Sequence, residues 1–199
     1  MKIYHSRAYH RFFEGYNEKL TANEEGKLEI KRFYSGDYYI PELSEKERRT
    51  KKIGVFILYI SAVLLFFFGG LQNVTMNSSR YMAFVQMTVL LIFGALLFWM
   101  APLWKKDGHL TFRDYKDLKV WMRKSCLIAA ILLWTGVLAG LVEMAIQGRK
   151  ADEDVFVAAA ALFLSGFSLY AIYLWEKKSS YQIQTNEKKG EPKSVMIRY

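Results

Sequence analysis

The chain has 199 residues, 52% of them hydrophobic and 16% aromatic, with a formal net charge of +9. That length accommodates one modest helical bundle with short pieces outside it and excludes two full globular domains. The charges crowd the first fifty or so residues, the middle and the tail, and long stretches between them carry almost none, which points to a polytopic membrane protein.

Residues 1–43 read as a cytoplasmic segment that contains a β-hairpin. The runs FFEGYNEKL and LEIKRFYSGDYYI are rich in Tyr, Phe and Ile and flank a turn-prone ANEEGK, in which Gly26 can adopt φ > 0. A lone hairpin is marginal in water, so this one is expected to lean on the bundle, the lipid surface or a partner protein. The spacing of His5 and His10 suits neither one helix face nor a zinc pattern, and His109 stands alone in the middle loop, so no metal site is expected.

Residues 44–104 form the first expected transmembrane hairpin, with spans at 53–72 and 81–104. Ser44-Glu45-Lys46-Glu47 is a capping-box pattern that starts a helix running through ERRTKK into the first span. A charged segment precedes that span and no small-residue cleavage site follows it, which argues against a cleaved signal peptide. The connecting stretch LQNVTMNSSR holds two N-glycosylation tripeptides, at Asn73 and Asn77, in a loop too short and too close to the membrane to favour modification. Gln86 is expected to donate an interhelical hydrogen bond.

Residues 105–124 form a loop in which Thr111 and Asp114 open an amphipathic helix. At about 100° per residue, Phe112, Tyr115, Leu118, Trp121 and Met122 share one half of the wheel, and Arg123 and Lys124 fall on the other, so this helix is expected to lie in the membrane interface. Its residues Phe112, Tyr115, Leu118, Trp121, Arg123 and Lys124 are the expected membrane-interface residues, and the bilayer's anionic headgroups are the expected partners of the basic ones.

The second transmembrane hairpin occupies 125–175, with spans at 125–147 and 155–175. Cys126, the only cysteine, excludes an internal disulfide and reads as a small buried hydrophobe. Gly136 and Gly140 make a GxxxG pair, while Ala158, Ala161, Ser165 and Ser168 share a face of the fourth span; both faces are expected to pack tightly, against each other or against a partner. Glu143 is the only acid inside a span and is therefore the candidate proton or cation site, although it lies near the outer end, where headgroups or Arg149 and Lys150 can satisfy it. The tail, 176–199, is polar and is expected to be largely disordered.

Orientation follows from the cations. Twelve Lys or Arg precede the first span, seven lie in 105–124 and six in the tail, against Arg80, Arg149 and Lys150 in the other loops. Both termini and the middle loop therefore belong in the cytoplasm, and topology accounts for the net charge without nucleic acid. Short loops and a lysine-rich inner face suit a bacterial plasma membrane.

The sequence contains no P-loop, GxSxG or HExxH motif and no Gly-rich loop after a strand. The expected fold is an all-α membrane protein, a four-helix transmembrane bundle with a small cytoplasmic N-terminal β-hairpin. The expected function is that of a noncatalytic accessory or scaffold subunit without cofactors, bound to lipid and to a protein partner or to itself. A small oligomeric transporter or channel built on the polar face around Glu143 is the alternative.

Overall fold

The computed structural model describes residues 14–22, 28–105, 108–148 and 153–186. The chain is mostly helical, and its described residues divide into two compact units, one drawn from 14–22, 28–42, 105, 108–116 and 180–186 and the other from 43–104, 117–148 and 153–179.

The first unit contains the expected hairpin. Strands β1 (Tyr16–Ala22) and β2 (Leu28–Tyr34) pair antiparallel, with Tyr16 opposite Tyr34 and Ala22 opposite Leu28. The turn around Gly26 lies outside the described residues, as do His5 and His10. Across the pair, Arg32 Nε donates to Glu18 Oε1 at 3.0 Å. Gly15, at φ +84°, is a conformation that favours glycine, and its carbonyl accepts from the amides of Ser35 and Gly36 at 2.8 and 3.0 Å, closing the end of the hairpin.

A second strand pair was not foreseen. Strand β3 (Tyr38–Pro41) pairs antiparallel with β4 (Tyr181–Gln184), which lies in the stretch expected to be disordered. Tyr181 and Ile183 alternate with glutamines, and β3 supplies a partner 140 or so residues earlier in the chain, so the tail orders by pairing and not by any propensity of its own. Residues 187–199 lie outside the described residues. On its other side Tyr39 exchanges backbone hydrogen bonds with Leu110, at 2.8 and 3.0 Å, so the middle loop joins the same unit.

In the second unit, α1 (Glu45–Gly70) starts at Ser44 with the complete capping box: Glu47 N donates to Ser44 Oγ at 3.3 Å and Ser44 N to Glu47 Oε2 at 2.9 Å. Ser44 Oγ also donates to Glu47 Oε2, at 2.7 Å, and this bond together with the one from Ser44 N holds the Glu47 carboxyl below the usual carboxylate range. A 3-10 turn (Thr75–Ser78) leads to α2 (Arg80–Met100), capped by Ser79, and a second 3-10 turn covers Ala101–Trp104. The next helical run is continuous from Phe112 to Ile146: α3 (Phe112–Lys116), a π-helical segment (Asp117–Met122) and α4 (Arg123–Ile146). Helix α5 (Glu153–Lys178) has Glu153 and Asp154 in its first turn and Lys177 and Lys178 in its last, both favourable to the helix dipole.

Thus the expected interface helix is not a separate element that turns into the third span. Thr111 and Asp114 do form its reciprocal cap, with Thr111 N donating to Asp114 Oδ2 at 2.9 Å and Asp114 N to Thr111 Oγ1 at 3.3 Å. Beyond it no Gly or Pro interrupts residues 109–135, so the helix continues, and the wide π turns rotate the expected face out of register. Phe112 and Tyr115 end up beside Tyr39, whereas Leu118 and Met122 are buried in the bundle. Trp121 is exposed and stacks on Trp99 at 6.2 Å.

Among the described residues four helices are long and apolar enough to cross a membrane, with mean hydropathies of 2.1–2.4. In the bundle α1 packs on α5, α5 on α4, and α4 on α2. Tyr59 adds a contact between α1 and α2, its hydroxyl donating to Phe93 O at 3.0 Å. Large side chains such as Phe84, Leu91 and Phe98 of α2 project outward and are two-thirds or more exposed.

The tightest approach is between α1 and α5. A Cβ on Gly69 would stand 2.7 Å from Ala158 O and 3.1 Å from Ala161 Cβ, and Ser165 Oγ donates to Ala62 O at 2.8 Å. Gly69→Val therefore forces the two helices apart and should lower the stability of the detergent-solubilised protein by about 1–3 kcal/mol. Gly94→Ala, where nothing lies within 4 Å, should be neutral or raise it slightly. Thermal midpoints of the two variants make the comparison, and equal midpoints contradict the packing.

Candidate functional site

Polar residues of the bundle gather at its two ends. At one end, where α1 begins and α5 finishes, Lys51 and Glu176 form an ion pair of 2.5 Å with side-chain exposures of 4% and 1%. Lys51 also donates to Ser179 Oγ at 2.8 Å, and Ser179 Oγ in turn donates to Trp175 O at 3.0 Å. Lys119, from the π segment, donates to the main-chain carbonyls of Ser179, just past the end of α5, and of Glu176, which also accepts from Ser179 N at 3.2 Å. Trp175 lies against Gly54, where an added Cβ would stand 2.4 Å from the indole ring.

This knot was not anticipated from the sequence. Lys51 read as one of a run of basic collar residues and Glu176 as the start of a polar tail, and their separation of 125 positions carries no periodic signal. The one available hint was that each lies a single turn beyond an apolar run, on helices long enough to extend past it.

Buried ions are costly unless paired and hydrogen-bonded, and here one carboxylate meets one ammonium and one hydroxyl completes the set. Such a knot holds α1, α5 and the π segment in a single register. It therefore acts as a clamp between these elements.

At the opposite end a half-enclosed cavity of about 210 Å³ is lined by Thr75, Ser78, Ser79, Glu143 and Gln147, with Gly140 and Met144. Ser79 Oγ accepts from Met82 N at 3.0 Å as the cap of α2. Glu143 is exposed, and Gln147 Nε2 donates to its Oε1 at 3.2 Å. The expected external partners Arg149 and Lys150 lie outside the described residues.

Beside this cavity Asn77 ties the end of α1 to α2. Its Nδ2 donates to Gly69 O at 2.8 Å and Gln72 O at 2.9 Å, and its Oδ1 accepts from Gln86 Nε2 at 3.1 Å. Gln86 thus makes the expected bond between elements, though to the connecting turn and not to another long helix. A glycan on Asn77 would compete for the nitrogen that makes these contacts.

The remaining packing residues divide differently from expectation. Gly136 and Gly140 do not face the small-residue stripe of α5: a Cβ on Gly136 would meet Val85 and Met82 of α2, and one on Gly140 would lie 2.6 Å from Met76. Ala158, Ala161 and Ser165 are buried against α1, but Ser168 is half-buried and bonds back to Leu164 O of its own helix at 3.1 Å. The contact of α4 with α5 is made instead by Trp134, whose Nε1 donates to Phe163 O at 3.1 Å and whose ring lies where a Gly166 side chain would stand. Cys126 is buried, and Arg123 is half-buried while Lys124 is exposed at the start of α4. Among the described residues no three His, Cys, Asp or Glu converge as metal ligands.

In the first unit the fixed point is Tyr34, which is buried. Its hydroxyl donates to Asp37 O at 2.8 Å and accepts from Phe112 N at 2.9 Å, and its own carbonyl accepts from Asn186 Nδ2 at 2.9 Å. Burial raises its phenol pKa above 10.0, and Tyr39 is raised for the same reason. Tyr39 stacks on Tyr115 at 4.4 Å, and Tyr115 meets Tyr181 edge-on at 5.3 Å. Lys105 pairs with Asp114 at the cap of α3.

Replacing Lys51 alone by Met removes the ammonium paired with the buried Glu176 carboxylate and should cost about 3–5 kcal/mol, whereas Lys51→Met with Glu176→Met should cost far less. A double-mutant cycle on thermal or denaturant unfolding in detergent measures the difference, and additive losses contradict the clamp. No protein-family model, no curated protein and no solved structure matches this chain.

Proposed function

We propose that this chain is an integral membrane protein with both termini and the 105–124 segment in the cytoplasm, in a bacterial plasma membrane, and that it serves as a noncatalytic accessory or scaffold subunit. The observation that carries this reading is the composition of the first unit. Residues 14–42, 105–116 and 180–186 pack together, and each is separated from the next by two apolar helices. An even number of crossings returns the chain to the same side, which agrees with the side that the cations choose. The outward Phe and Leu side chains of α2 are what lipid-facing positions require.

On this reading the sheet unit is the docking element. It presents a Tyr-rich surface on two short strand pairs held by long-range contacts, and it carries no reactive constellation among its described residues. Binding to anionic headgroups by the neighbouring Lys and Arg, Lys116, Arg123 and Lys124 among them, belongs to the same proposal. A second reading, a small oligomeric transporter or channel, has in its favour the cavity beside Glu143.

Topology is tested in a Cys126→Ala background with single cysteines introduced by Ser78→Cys and Lys46→Cys. A membrane-impermeant maleimide applied to spheroplasts should label the first directly and the second only after permeabilisation; the reverse pattern overturns the orientation. For the docking role, the tagged protein is purified in mild detergent with and without residues 1–43, and copurifying proteins are identified by mass spectrometry. A stoichiometric partner should be lost with the deletion while membrane insertion persists, and retention of the same partner rules the segment out.

A further inference from the structure

The geometry points to a binding site for a monovalent metal cation in the cavity formed by Thr75, Ser78, Ser79, Glu143 and Gln147. The inference stands on the cavity alone and not on the docking role. Every polar side chain in the lining offers oxygen, and oxygen ligands select hard cations. They comprise one carboxylate, three hydroxyls and one amide, so the site holds a single fixed negative charge and balances a single positive one.

The surrounding elements favour the same sign. Glu143 sits in the last turn of α4, whose final carbonyls carry the negative end of the helix dipole. Those carbonyls are only partly used: Gln147 N donates to Glu143 O at 3.0 Å and Gly148 N to Ala145 O at 3.1 Å. Gln147 directs its nitrogen to Glu143 Oε1, which leaves its own amide oxygen and Glu143 Oε2 without a hydrogen bond among the described residues. The hydroxyls of Thr75 and Ser78 likewise make none. The opposing force is the N-terminus of α2, but Ser79 Oγ already accepts from Met82 N there and so covers one of its exposed amides.

Size narrows the ligand further. A volume of about 210 Å³ exceeds a bare ion and falls below the roughly 300 Å³ at which pockets for drug-sized molecules begin. An alkali cation that keeps part of its water shell fits these limits.

The full chain in mild detergent is unfolded thermally, followed by circular dichroism, with Na⁺, K⁺ or the bulky cation N-methylglucamine as chlorides at one ionic strength. Binding to the folded state alone raises the midpoint saturably with ion concentration. The midpoint should rise with Na⁺ or K⁺ over N-methylglucamine, and Glu143→Gln should abolish the rise. A second variant, Thr75→Val with Ser78→Ala, keeps the carboxylate and should move the response to higher ion concentration.

A wild-type midpoint indifferent to the cation overturns the proposal. So does a response to Mg²⁺ or Ca²⁺ without one to Na⁺ or K⁺, or a response that survives Glu143→Gln. A dependence seen only after Arg149→Ala with Lys150→Ala would mean that the chain's own cations fill the cavity, and that also overturns it. Retention or loss of a copurifying protein leaves each of these outcomes unchanged, so the two proposals fail separately.

Discussion

The contact between α1 and α5 sets the position of the other helices. It is closest near the end of α1, where Gly69 lets the backbone of α5 approach through Ala158 and Ala161, and it continues through the hydrogen bond from Ser165 to Ala62. At the far end Lys51 and Glu176 lock the same two helices with a buried ion pair. Shape complementarity governs one end and charge the other, so the helices can neither slide nor rotate without losing both. Helix α4 then joins α5 by laying Trp134 over Gly166, and α2 fills the groove that Gly136 leaves on α4.

A bundle whose outer surface is apolar must satisfy its polar groups internally, and this one does so with few residues. Asn77 serves three carbonyls at and just past the end of α1 and one amide from α2. Lys119 serves two carbonyls at the end of α5. Among the described residues no buried side-chain nitrogen or oxygen lacks a partner. The two polar ends differ in kind: the Lys51 knot is closed, and the Glu143 cavity retains oxygens that no described residue engages.

Much of the architecture is legible in local patterns. The four apolar runs and the caps at Ser44 and Thr111 depend on residues within a few positions of one another, and the hairpin of β1 with β2 joins strands adjacent in the chain. What local patterns misplace are partner choices. The GxxxG pair announced a close approach, and one exists, but with Met76, Met82 and Val85 and not with α5. Ser168 shared a wheel face with Ser165, yet it is only half-buried and its hydroxyl bonds to its own backbone. The wheel drawn through Phe112–Met122 assumed 3.6 residues per turn, and the π segment breaks that period.

The sequence by itself determined the four apolar runs, the caps at Ser44 and Thr111 and which loops carry the cations, because hydropathy, capping and charge act over one or two turns. Tertiary structure decided which helix touches which, where the ions are buried, and that Tyr181–Gln184 becomes a strand. Each of those outcomes joins residues far apart in the chain: Lys51 with Glu176, Tyr34 with Phe112 and Asn186, Tyr38 with Gln184. Neither member of such a pair has a local preference for the other, and the energy that selects it appears only when folding brings both out of water together.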